Sequence, residues 1–324
     1  MSWWRRRPAP TAALFERVSL AALAALYLVV ATGAVVRLTA SGLGCDHWPR
    51  CGSMPFPETG GHAAIEFSNR VVAIVALVAT ISAWAVARRL PALGARPRRL
   101  ALVAFAGTLA QIPLGGLTVI LNLNPWLVMA HFLLALVVLG VAVLVAFDGV
   151  VLARPGLVER LRAETLGAGA RQLTLLLCAA ALPLVVTGTI STAAGPHSGG
   201  ADIPRLGVLL TTAVYVHVRA AAAFGMLLLI VLAVLAKQRR QAPLPFRLAL
   251  LVLGVLLVQM AVGEIQWRTR LPWGLVLAHV ALAATVWGAT VVLAATCFRV
   301  RVASRAAEAA HGEPPPAGEI PTVS

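Results

Sequence analysis

The stretch LVMAHFLLALVVLGVAVLVAF, residues 127–147, carries one ionisable side chain, His131, and is otherwise apolar. At 1.5 Å per residue a helix of about twenty residues crosses the roughly 30 Å hydrocarbon layer of a bilayer. In lipid every backbone polar group needs an internal partner, so such a run must be helical. Seven other runs read the same way: 14–36, 65–87, 100–121, 173–192, 208–236, 248–265 and 273–298. The sequence predicts an all-α polytopic membrane protein with eight transmembrane helices. The first run continues without a small-residue cleavage site before its polar loop and reads as a retained helix.

Composition agrees. The chain is 60% hydrophobic and 12% charged, where soluble domains are about a quarter charged. A net charge of +15 would suit nucleic acid, but its placement argues for no nucleic acid and for a lipid bilayer as partner. Arg5–Arg7 precede the first run, and Arg88, Arg89, Arg96, Arg98 and Arg99 follow the second. Arg154, Arg160, Arg162 and Arg171 follow the fourth, Lys237, Arg239, Arg240 and Arg247 the sixth, and Arg299, Arg301 and Arg305 the eighth. Every second loop is basic, which predicts a multi-pass protein of the cell membrane with cytoplasmic N and C termini. The tail, rich in Pro, Glu and Gly from Glu308, reads as disordered.

Gln111, Gly115 and His131 recur as Gln259, Gly263 and His279, each pair 148 residues apart, and the same shift places Asn69 on His217. Thr32–Gly33 has a looser echo in Thr187–Gly188. An even helix count gives both copies one orientation, so the expectation is two parallel tandem four-helix bundles. These divide the chain into an N-terminal bundle (1–150), a cytoplasmic linker (151–171), a C-terminal bundle (172–300) and a tail (301–324).

Ionisable groups inside a membrane are costly and mark function. His217 and His279 sit at similar depth near the extracytoplasmic ends of parallel helices, where two imidazoles could sandwich a haem iron. The plainer reading is a pair of interhelical hydrogen bonds. No Cys or carboxylate joins them at a zinc-like spacing. Arg219 could snorkel or meet a propionate. In the first half His62, Glu66, Asn69 and Arg70 share a helix face. Glu66 and Arg70 could simply neutralise one another. The repeat nevertheless puts Val214 opposite Glu66, and a carboxylate present in one half only suits an acid–base role. His131 could hold a second iron from one side. Cys45 and Cys51 could close a small disulfide ring, bind a metal with His47, or act as redox-active thiols. The glycine-rich loop 193–207 could cap a site.

Six stretches together carry a family resemblance: TGAVVRLTASGLGCDHWPRC (32–51), HAAIEFSNR (62–70), NPWLVMAHF (124–132), TGTISTAAGPHSGGADIPRLG (187–207), HVR (217–219) and LPWGLVLAH (271–279). They resemble the haem A synthase family over nearly all eight helices. That resemblance implies an oxidoreductase that converts the C8 methyl of haem O to the formyl of haem A by successive water-derived hydroxylations, for terminal oxidases that use haem A. It implies haem b as cofactor on His217 and His279, and haem O as substrate on His131 with Glu66 as the critical acid. It also implies a Cys45–Cys51 disulfide, as in some members. Implied partners are a haem O synthase, oxidase-assembly factors and a membrane electron acceptor, with self-association left open. Many members have His where this chain has Asn69, so His62 must replace that ligand or the iron must stay five-coordinate. The family's cysteine pair in the loop between the fifth and sixth helices is missing. Two other classes fit parts of the pattern: a diheme electron carrier without haem oxidation, and a transporter.

Overall fold

The computed structural model describes residues 9–45, 48–52, 57, 60–200 and 202–302. Arg5–Arg7, His47, Arg305 and the expected disordered tail from 303 lie outside them. The spans are α1 (Ala12–Leu38), α2 (Gly61–Arg89), α3 (Ala95–Ile120), α4 (Pro125–Ala153), α6 (Ala168–Ala194), α7 (Leu210–Lys237), α8 (Pro243–Arg268) and α9 (Trp273–Arg299). All eight are long and apolar enough to cross a membrane, and each contains the run expected for it apart from end residues. α3 continues past Pro113 and α6 past Pro183 without a break.

The linker has secondary structure of its own. It holds a short amphipathic helix, α5 (Pro155–Ala163), and the two-residue strand β1 (Thr165–Leu166). Pro155 suits a first helical turn, Arg160 and Arg162 fall in the last, and Leu161 is buried. β1 pairs in parallel with β2 (Arg301–Val302). The tail assignment is therefore corrected at its start: 301–302 are tied to the linker by backbone pairing.

Within each half the helices close a ring. α1 packs on α2 and α4, and α3 packs on the same two; α6 packs on α7 and α9, and α8 packs on the same two. The rings meet where α9 lies against α1 and α4, and where α4 touches α6. Polar groups pin this seam. Tyr27 Oη donates to Ala281 O at 2.8 Å, and Trp287 Nε1 donates to Leu136 O at 2.8 Å.

α4 runs six residues past its expected end because Asp148 is neutralised across the seam. Its buried carboxylate pairs with Arg299 of α9 and lies 3.6 Å from Arg96 of α3. Removing one partner of a buried pair costs up to about 3–5 kcal/mol, less here because both arginines are partly in solvent. Asp148→Asn is expected to lower the thermal midpoint in detergent by several degrees. An unchanged midpoint would mean that the seam does not depend on this cluster.

Candidate functional site

A cavity of about 560 Å³ lies in the second half and is walled by α6 to α9 with Phe132 and Leu136 of α4. Its size falls in the usual range for a cofactor, roughly 300–1,000 Å³. His217 of α7 and His279 of α9 both line it. Their ring centroids are 6.4 Å apart and their planes cross at 77°. A metal–imidazole bond is about 2 Å and the ring centre lies about 1 Å further, so two imidazoles on opposite sides of one ion have centres roughly 6 Å apart. The pair has that spacing.

Local sequence sets the ring positions. Each imidazole lies on a glycine of the neighbouring helix. A Cβ on Gly188 would fall 3.1 Å from His217 Cε1, and one on Gly263 would fall 2.9 Å from His279 Cε1. In both rings Cε1 comes nearest the glycine, with Nδ1 next and Nε2 a few tenths of an ångström further. Thr187 fixes the tautomer of His217. Its hydroxyl donates to Pro183 O at 2.8 Å, which leaves its oxygen to accept from Nδ1, 3.2 Å away. The neutral ring then keeps its lone pair on Nε2, as a metal ligand requires. Among the described residues no group of three or more His, Cys, Asp or Glu could hold an ion. Two imidazole donors at this spacing fit a planar cofactor bound through a central metal.

Loop 193–207 does cap this cavity, through Gly195, Pro196 and His197. His197 Nε2 lies 2.9 Å from Leu271 O. The cap is held from the other half by Arg37, which donates to His197 O at 2.7 Å and Thr192 O at 2.9 Å. In the sequence Thr187 stood out only as the looser echo of Thr32, and Arg37 carried no assigned role. Arg219 stacks its guanidinium 3.5 Å above the Tyr215 ring, and Tyr215 forms the wall.

The first half repeats the frame with different chemistry. His131 lies on Gly115, whose Cβ would sit 3.2 Å from Cε1, and Gln111 Nε2 donates to His131 O at 3.2 Å. His131 Nδ1 and His279 Nδ1, like Gln111 Oε1 and Gln259 Oε1, find no hydrogen-bond partner of good geometry among the described residues. The same two orphans in each copy are what the repeat demands.

Glu66 is buried on α2 beneath the loop after α1. Cys45 N–H donates to its Oε2 at 2.8 Å, and Arg70 Nη2 to its Oε1 at 2.5 Å. Arg70 also donates to Pro49 O at 2.9 Å and Arg50 O at 3.2 Å. Cys45 and Cys51 form a disulfide, so of the three readings open for them the covalent ring is the one found. The Glu66–Arg70 ion pair expected from spacing is present, and it joins the disulfide loop to α2. A carboxylate offers about four acceptor sites, so two bonds leave capacity for another donor. His62 is held by Ser41 Oγ, 2.9 Å from its Nδ1. Seven residues separate it from Asn69, about 10 Å along the helix, so the two do not share a depth.

A family model described as cytochrome oxidase assembly protein matches residues 52–291. Three similar proteins are each named heme A synthase. That of Bacillus pumilus is 30% identical over 145 residues, 43% of this chain and 44% of the relative. That of Symbiobacterium thermophilum is 36% identical over 130 residues, 40% and 42% of the two chains. That of Geobacillus kaustophilus is 31% identical over 110 residues, 32% and 33%. Each match spans less than half the length of the curated relative.

Proposed function

From the premise that this chain belongs to the haem A synthase family of cytochrome oxidase assembly proteins, we propose that it oxidises the C8 methyl of haem O to the formyl of haem A. The observation that carries this reading is the pair of imidazoles 6.4 Å apart across a cofactor-sized cavity. The pair sits in a chain whose other half repeats the frame and adds a carboxylate.

The halves divide the work. His217 and His279 hold a haem b, whose metal supplies one-electron redox chemistry. Thr187 keeps the Nε2 lone pair of His217 available, and loop 193–207 excludes water under the grip of Arg37. In the N-terminal bundle His131 orients the substrate haem O. Glu66 holds water at the methyl carbon and takes its proton. The bonds from Cys45 N–H and Arg70 keep that carboxylate aimed. The apolar outer faces of the helices admit the farnesyl tail from lipid. Both termini are cytoplasmic, which puts the disulfide loop and both haem sites toward the extracytoplasmic side. A haem O synthase supplies the substrate, a membrane acceptor takes the electrons, and oxidase-assembly factors receive the product.

Purified from cells that make haem O, the chain is expected to carry haem b together with haem O or its oxidised product. Haem b alone at both sites would contradict the assignment and favour an electron carrier.

The disulfide ring has a separable role. Cys45→Ser with Cys51→Ser frees the loop that carries the Cys45 N–H. A hydrogen bond to a charged group contributes about 1.5–3 kcal/mol, so haem A formation is expected to fall roughly tenfold or more while the haem b spectrum stays intact. Equal loss of both signals would show a general folding defect instead.

A further inference from the structure

Asn69 occupies the position that the 148-residue repeat assigns to His217, and the two side chains have matching surroundings. Thr187 lies beside His217 and Thr32 beside Asn69. Gly188 lies against the His217 ring, and Gly33 would bring a Cβ to 3.9 Å from Asn69 Oδ1. The residue that His217 faces, His279, repeats as His131, and both rest on a glycine of the preceding helix.

The difference lies in which atoms each side chain turns away from its threonine. His217 meets Thr187 through Nδ1 and keeps a free lone pair on Nε2. Asn69 meets Thr32 through Oδ1, which accepts from the hydroxyl at 2.7 Å, the shortest of that hydroxyl's three contacts. The amide nitrogen then faces the other way. It carries two N–H donors and no lone pair for a metal. The amide is also shorter than an imidazole, and His62 is tied to Ser41 about two turns away.

Resting on the reading that His131 holds the substrate haem, we infer that Asn69 is a hydrogen-bond donor over an open axial position opposite His131. That position takes one small ligand with an anionic or lone-pair terminus, of the hydroxide class. Glu66 lies one turn along the same face of α2, three residues from that amide. The two halves thus use one frame for opposite ends: His217 closes its iron, and Asn69 keeps its iron accessible.

The test uses the full-length ferric protein purified with both haems, with azide as the probe. Wild type is expected to show one low-spin and one high-spin haem by electron paramagnetic resonance. Azide should convert only the high-spin one. Asn69→Leu should keep the high-spin signal but weaken azide binding about ten- to a hundredfold, since a hydrogen bond to an anion is lost. Asn69→His should turn the second haem low-spin and block azide. Two low-spin haems in wild type, or azide affinity unchanged in Asn69→Leu, would overturn the inference while leaving the reaction assignment standing. If His131→Ala removes no haem, the reading beneath it fails, and this inference fails with it.

Discussion

A Glu66→Gln chain is expected to bind haem O and to produce haem A at least about a hundredfold more slowly than wild type, the usual loss when a general base is removed. Glutamine keeps the length and one acceptor oxygen, so Cys45 N–H can still find its partner. What disappears is the charge that takes a proton and pairs with Arg70. Glu66→Ala should be equally inactive but less stable, because it also leaves the Cys45 N–H without its acceptor and Arg70 with only the Pro49 and Arg50 carbonyls beneath the loop. The measurement is haem extraction and chromatography from membranes expressing each variant beside a haem O synthase. Haem O retained without haem A is the expected pattern. Wild-type haem A from Glu66→Gln would mean that Glu66 serves only to anchor the loop through Arg70.

His217→Ala and His279→Ala should each abolish the low-spin haem b spectrum. The ring centres stand 6.4 Å apart, the spacing of two imidazoles on one metal, and a single remaining ligand would not give a six-coordinate low-spin iron. The loss should be nearly complete for either variant and no greater for the pair, since the two act as a unit. Haem O bound through His131 belongs to the other ring of helices and should survive. If either variant kept the spectrum, the histidines would be ordinary interhelical contacts and the cavity would hold something else.

Much of this was legible in the sequence, for a physical reason. Lipid enforces helix, so the eight apolar runs had one reading each, and α4 could be placed from residues 127–147 alone. The repeat was also visible, because Gln, Gly and His recur at one offset and the frame they build is the same in both halves. Tertiary contacts decided the rest. β1 and β2 are two residues long and exist only because the linker and the end of α9 meet. Arg37 acts through backbone carbonyls, which leave no pattern along the chain, and the Thr187–Gly188 echo did not by itself show that the hydroxyl meets a ring nitrogen. Spacing gave the Glu66–Arg70 pair, since four residues apart on a helix is local information. The bond from Cys45 N–H to Glu66 had no such signal, because it depends on how a loop folds back over α2. Asn69 was recognisable as a departure from sequence, but its meaning needed the Thr32 hydroxyl, which shows which end of the amide is occupied.

The most direct test of the central claim is to express the intact chain with a haem O synthase in a host that makes no haem A, then extract and separate the membrane haems. Haem A appearing only when the chain is present is the predicted result. Haem O left unchanged beside a correctly folded, haem b-loaded chain would contradict it.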